Sequence, residues 1–350
     1  MKMRQKNNIP IFLCELPPPY GGVTVKNQLI INYTLQLQKP IDIIDLYECK
    51  RNKKSVLKTF GKIIISMLTQ RRIIYGFGSY KRLKIVIYLQ RLCGGKKSLR
   101  MSKNIVMGGV FQDYIRTQKC LKKLLIQMKT HYVETEGMKA ELEKMGFSNI
   151  EVFPNPKSET GSCPPQISKP NAPLRLVYFS QISKEKGVKD IIDLVSLLDR
   201  RKTVSYCLDF YGHIKDDIKT EFCEFIKESP YVRYCGIFDS TKSNVYQKLN
   251  TYDILLFPTH WDTEGVPGIL IEAKMAGLAI IASNCSYNKE IIQINKKEGF
   301  LVYNDYPCEM YKIIKQLEND KNLLYQIKTA SFQSRIRYRL DEFKDIIKSL

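Results

Sequence analysis

A chain of 350 residues is too long for one ordinary hydrophobic core and suits two domains of middling size. At 44% apolar and 26% charged it has the make-up of a folded protein, and no stretch approaches the ~20 apolar residues that a membrane-spanning helix needs. The net charge of +21 is unevenly placed: residues 1–156 hold 28 Lys and Arg against 10 Asp and Glu, and between Lys50 and Tyr132 the one acid is Asp113. A half of that kind attracts phosphate-rich partners such as anionic lipid, nucleic acid or a pyrophosphate-linked substrate.

The start, Met1-Lys2-Met3-Arg4-Gln5-Lys6, is basic like a secretory leader. The apolar run behind it, residues 9–16, contains Pro10 and Glu15 and is one strand long, so no leader is expected. Strands are expected at 9–15, 41–46, 73–77, 104–107, 132–135 and 150–153, with helices between them such as 118–129 and 137–145. From Lys50 to Arg100 the aromatic and aliphatic residues fall at spacings that suggest core. After Pro154-Asn155-Pro156 a polar, proline-rich stretch, 157–173, reads as a linker. The pattern then restarts, with strands at 174–179, 206–211, 232–235, 254–258 and 279–282 and a last helix over 338–350. Apolar runs alternating with amphipathic stretches mean an α/β chain with parallel sheets, and in such sheets ligands bind beyond the carboxyl ends of the strands. The ten cysteines form no CxxC pair, and several lie in apolar runs such as Tyr206-Cys207-Leu208. They read as reduced thiols buried as small hydrophobes, in a reducing compartment.

Three segments carry chemistry. In the first, residues 257–273, a strand runs into a polar loop with Trp261, Glu264 and Gly265, and a helix is expected to begin at Pro267. Backbone N–H groups of Gly265, Val266 and Gly268 near a positive helix end suit a diphosphate, and glycine at 265 allows close approach. Glu264 and Glu272 can accept hydrogen bonds from sugar and ribose hydroxyls. The second segment, Tyr178 to Lys189, puts Gln181, Lys184 and Lys186 after a strand and before a helix. Lys186, nearer the helix start, is the better choice to neutralise a departing diphosphate. The third, Leu16-Pro-Pro-Pro-Tyr-Gly-Gly-Val23, is a glycine turn after the first strand, a common phosphate-facing element and also a common plain turn.

In this order and spacing the segments resemble the large family 4 (group 1) of retaining glycosyltransferases with the GT-B fold. Glu264 and Glu272 match the family's E-x7-E motif, Lys184-Glu185-Lys186-Gly187 its EKG turn, and Gly21-Gly22 its N-terminal glycine loop. Val152-Phe-Pro-Asn155 is similar to the end of its first domain. Residues 282–292 are similar to a stretch in members that build surface polysaccharides.

The resemblance implies two Rossmann-like domains facing a cleft: 1–156 on the acceptor side, the linker 157–173, a nucleotide-sugar domain at 174–335, and a last helix, 336–350, crossing back to the first. It implies Glu264 and Lys186 as catalytic residues. Gly22, Gln181, Gly212, Gly265, Val266, Gly268 and Glu272 would bind the donor, a nucleotide-sugar carried on UDP. No metal or cofactor is implied, and no Asp-x-Asp pair sits in a suitable loop. The acceptor would be a glycan or a polyprenyl-pyrophosphate-linked oligosaccharide for capsule, exopolysaccharide or O-antigen. The enzyme would be cytoplasmic and peripheral on the plasma membrane, with the basic first domain facing anionic lipid. Two departures stand out: Gln181 occupies the place of an arginine, and Met107-Gly108-Gly109 that of a histidine. An epimerase of the same fold and a basic nucleic-acid-binding protein are the alternative readings.

Overall fold

The computed structural model describes residues 9–167, 172–202, 204–240 and 242–350, so the basic start, Met1 to Lys6, lies outside the described residues. It divides into two compact units. Unit 1 comprises Met1–Pro156, Thr263–Val266 and Leu340–Leu350; unit 2 comprises Lys157–Asp262 and Pro267–Arg339.

Unit 1 holds six parallel strands, β1 (Ile11–Cys14), β2 (Asp42–Asp45), β3 (Ile73–Gly76), β4 (Lys103–Ile105), β5 (Thr130–Val133) and β6 (Ile150–Val152). Their order is β2-β1-β3-β4-β5-β6. All four residues of β1 and of β3 are buried, as uninterrupted apolar runs are when both faces of a parallel sheet are covered. The chain leaves β1 on one side for β2 and returns on the other for β3, so the strand order reverses there. That switch point opens a crevice at the carboxyl ends of β1 and β3.

The tail contributes to this same core. Leu340, Ile347 and Leu350 join Phe12, Ile74, Ile105, Tyr132 and Phe153 in one cluster, and the Lys103 ammonium donates to the Ser349 carbonyl at 2.7 Å. The single helix expected over 338–350 is instead two 3-10 turns, Arg335–Tyr338 and Leu340–Phe343, followed by a short helix, Lys344–Ser349.

His131 is fully buried in unit 1. Its Nε2–H donates to the Leu125 carbonyl at 2.9 Å and its ring meets Phe147 edge-on, so it is a core residue. Burial holds its pKa down at about 4, below the usual 6.5. Between those values the unfolded chain binds more protons, so stability falls as pH drops through that window, by about 3 kcal/mol. Urea midpoints measured from pH 7 to pH 4 should show the slope, and His131→Phe should flatten it; equal slopes would remove His131 as the cause.

Unit 2 has the strands β7 (Leu174–Phe179), β8 (Tyr206–Tyr211), β9 (Val232–Tyr234), β10 (Ile254–Phe257), β11 (Ala279–Ser283) and β12 (Phe300–Val302), in the order β12-β11-β10-β7-β8-β9. The short β12 has no forerunner in the sequence reading. The helix Val188–Arg201 buries Val188, Ile191, Leu194, Val195 and Leu198, the three-and-four spacing of one helical face. Here the switch point lies between β7 and β10, which puts the loops after Phe179 and Phe257 at one crevice.

Three expectations need correction. The stretch 157–167 is packed within unit 2 and is no free linker: Cys163 N–H donates to the Met275 carbonyl at 2.9 Å, and the Lys328 ammonium to the Gln166 carbonyl at 2.8 Å. Of the linker's remainder, residues 168–171 lie outside the described ones. The ten cysteines form no disulfide, but only Cys14 is buried, whereas Cys120 and Cys223 on outward helix positions and Cys235 just past β9 are exposed. Between Lys50 and Arg100 much of the apolar spacing faces solvent: Leu57 and Leu92 are 85% and 82% exposed.

Candidate functional site

In unit 2 the loop after β7 is pinned to the loops after β8 and β10. Ile182 N–H donates to the His213 carbonyl (2.9 Å), Lys215 N–H to the Ile182 carbonyl (3.0 Å) and His260 N–H to the Glu185 carbonyl (2.8 Å). The Tyr178 hydroxyl reaches the carbonyls of Gln181 (2.8 Å) and Lys186 (3.1 Å) from below. Two glycines make the approach possible. Gly187 has φ 74°, and a Cβ there would lie 1.8 Å from the Pro258 carbonyl oxygen; Gly212 has φ 146°, and its Cβ would lie 1.9 Å from that of Ser180. Either glycine changed to alanine should cost about 2 kcal/mol or more, through left-handed backbone and overlap together. Chemical denaturation reads this directly, and an unmoved midpoint would show that the loops can part.

In the 3-10 turn Lys184–Lys186 the two lysines differ in burial. Lys184 is exposed, as is Gln181, whereas Lys186 is half-buried with its ammonium 5.4 Å from the Trp261 ring centroid. A second ammonium, that of Lys215, lies 5.9 Å from the same ring. Trp261 therefore draws two cations to the crevice at the ends of β7 and β10. Lys215 was not singled out from the sequence; its only signal was a lysine three residues past the Gly212 turn.

Glu272 sits in the helix Gly268–Met275, half-buried, its Oε1 2.7 Å from the Lys157 ammonium. The helix starts at Gly268, so Pro267 is the residue before the first helical one, with ψ 122°, rather than the first itself. Pro267 has no side chain that could cap this end, and no acid lies in the helix's first turn. His260 is bound to its own unit: Nε2 lies 2.7 Å from the Asp190 carboxylate, and the ring stacks on Tyr306.

Glu264, Gly265 and Val266 fall in unit 1, held by the ends of its strands. Gly109 N–H donates to the Thr263 carbonyl at 3.0 Å and the Asn155 side-chain amide to the Val266 carbonyl at 3.1 Å. The Val266 N–H donates to Glu134 Oε2 at 3.0 Å, and the other oxygen, Oε1, meets the Lys26 ammonium at 2.7 Å. Lys26 and Glu134 are almost wholly buried. This arrangement occupies the Val266 N–H, which was expected to lie open to a diphosphate. What approaches Gly265 is the Glu134 carboxylate, 2.0 Å from where a Cβ would be. Gly109, in the segment where a histidine was missing, is also packed against this loop, its Cβ position 2.2 Å from the Glu264 carbonyl oxygen.

Gly22 opens the helix Gly22–Gln36 beyond β1, on the rim of a hollow of about 320 Å³ at the β1/β3 switch point. Glu15 and Arg82, joined as an ion pair, line its wall. A Cβ on Gly21 or Gly22 would meet nothing within 4 Å and neither has positive φ, so the packing of the chain does not itself require glycine there.

Comparison with known proteins bears on family and fold. Residues 163–334 match the model of the glycosyl transferases group 1. A capsular polysaccharide biosynthesis glycosyltransferase of Staphylococcus aureus, CapH, is 25% identical over 154 residues, 42% of each chain. An amylovoran biosynthesis glycosyltransferase of Erwinia amylovora, AmsK, is 27% identical over 128 residues, 35% of this chain and 31% of that one. The matched stretches thus span less than half the length of these relatives. In fold, the chain resembles Anabaena HepE in complex with UDP-glucose, with a TM-score of 0.70 and 12% identity over 97% of this chain and 98% of that one.

Proposed function

We propose that this chain, whose residues 163–334 match the glycosyl transferases group 1 and which has the paired Rossmann-like domains of the GT-B fold, moves a sugar from UDP to an acceptor hydroxyl with retention of configuration. The observation that carries this reading is the crevice of unit 2. There two ammonium groups, Lys186 and Lys215, flank Trp261 beside the loop that leads to the helix start at Gly268.

Positive side chains and a helix end suit the charge that grows on a diphosphate as the glycosidic bond breaks. In this reading Lys186 is the principal partner of the leaving diphosphate. Gln181 adds a neutral hydrogen bond, and the Gly268 end adds N–H groups. Glu272 accepts from the ribose diol, and the turn at Gly212 borders the base. Glu264 contacts the donor sugar, Gly22 lets backbone come close to it, and Gly265 and Val266 serve by holding Glu264 in place. The diphosphate itself accepts the acceptor's proton, so no metal and no separate strong base is called for. The polysaccharide-building relatives favour a glycan or polyprenyl-pyrophosphate-linked acceptor. In this reading the chain works on the cytoplasmic face of the plasma membrane.

A thermal-shift screen against UDP, GDP, ADP and their sugars, without metal, tests the donor site. UDP at about 100 times its Kd should add ~2.7 kcal/mol to the native state. The shift should vanish in Glu272→Ala protein that still folds. No response to any nucleotide would overturn the reading, and turnover of the sugar-nucleotide without an acceptor would replace transfer with epimerisation.

A further inference from the structure

Two neighbouring helices of unit 1 turn apolar stripes outward. In Val56–Leu68, Leu57, Phe60 and Leu68 recur at three and eight residues and so lie on one side of the helix, all exposed; the side facing the core carries Thr59, Ile63, Ser66 and Met67. The helix packed beside it, Tyr80–Cys93, does the same with Ile85 and Leu92 at seven residues, 66% and 82% exposed. Single exposed apolar residues need no account, but contiguous rows on adjacent elements mark an interaction surface. The polar residues around the stripes are almost all basic. Lys54, Lys58, Lys62, Lys81, Lys97 and Arg100 are exposed, and no Asp or Glu occurs from 49 to 112.

We propose that the outer faces of Val56–Leu68 and Tyr80–Cys93 form a docking surface for an anionic lipid bilayer, the apolar rows entering the interface and the lysines meeting headgroup phosphates. The charge decides the occupant. A second copy of this chain would bring two basic clusters together with no acid to pair them. Nucleic acid would satisfy the lysines and leave the leucines in water. A bilayer with anionic headgroups accommodates both, as it does for interfacial amphipathic helices. The proposal deepens the reading above and rests on it for its purpose, since a membrane-borne acceptor must be met at the membrane.

The test is co-sedimentation of the full chain with vesicles of phosphatidylcholine alone and of equal parts phosphatidylcholine and phosphatidylglycerol. The chain should pellet with the mixed vesicles only, and added salt should weaken binding. Leu57→Asp/Leu92→Asp should weaken it at least tenfold, and Lys58→Glu/Lys62→Glu should do likewise. All four positions are exposed, so these variants should fold, and their UDP-induced thermal shift should equal that of the parent. Unchanged pelleting of both variants, or no pelleting of the parent, would overturn the proposal. So would a dimer that Leu57→Asp dissociates, or tight RNA binding in its place. A failed UDP shift alongside normal vesicle binding would strike the transferase reading and spare this surface.

Discussion

Lys186→Ala should lower kcat by about 10²–10³-fold, the usual loss when one preorganised partner of a developing charge is removed. Lys186 is half-buried on a turn that the Tyr178 hydroxyl and the Gly187 turn hold in place, so its ammonium arrives already oriented. Lys215, 0.5 Å farther from the Trp261 ring and 3.7 Å from the Glu185 carboxylate, is partly occupied. Lys215→Ala should therefore cost less, about tenfold. If the two lysines share one diphosphate, the double variant will fall short of the product of the single effects. Steady-state kinetics with donor and acceptor give all three numbers; Lys215→Ala as damaging as Lys186→Ala would reverse the assignment. The result bears on the absent arginine: Gln181 carries no charge and is exposed, and the second cation at this crevice comes from the loop after β8.

Lys26→Met should be the most destabilising of the substitutions considered, by about 3–5 kcal/mol, because it strands the Glu134 carboxylate in a nearly waterless site. The pair is 2% and 6% exposed, with its oxygens divided between Lys26 and the Val266 N–H. Glu134→Gln keeps an acceptor for Val266 and removes the charge. Lys26→Met/Glu134→Gln should therefore recover most of the loss, which urea unfolding of the four proteins measures as a cycle. A double variant no better than Lys26→Met would show that the lysine acts through packing on Phe153, 5.6 Å from its ammonium, rather than through charge. Because Glu134 also steadies the segment that carries Glu264, the recovered double variant should keep kcat within about tenfold of the parent, provided the segment stays placed.

Residue order alone sufficed for much of the architecture. The runs at 174–179 and 206–211 coincide with β7 and β8, because a strand buried on both faces is largely apolar and can be recognised without its partner; the charges within them, Arg175 and Asp209, are paired with Asp253 and Arg233. The E-x7-E spacing and the lysine turn were legible for a similar reason: each lies within one loop and one helix, where sequence distance is close to spatial distance. Tertiary structure decided what depends on partners far along the chain. The Glu134–Val266 bond joins residues 132 apart and Lys26–Glu134 residues 108 apart, and no local pattern foretells either. For the same reason the 157–167 stretch, polar and aperiodic, gave no sign that its backbone would be taken up by the helices of unit 2. Helical spacing shows that a helix has an apolar side and not which way that side turns. Leu57 and Leu92 looked like core by spacing, and only the placement of their helices, whose buried sides are already filled by other residues, leaves those rows facing outward.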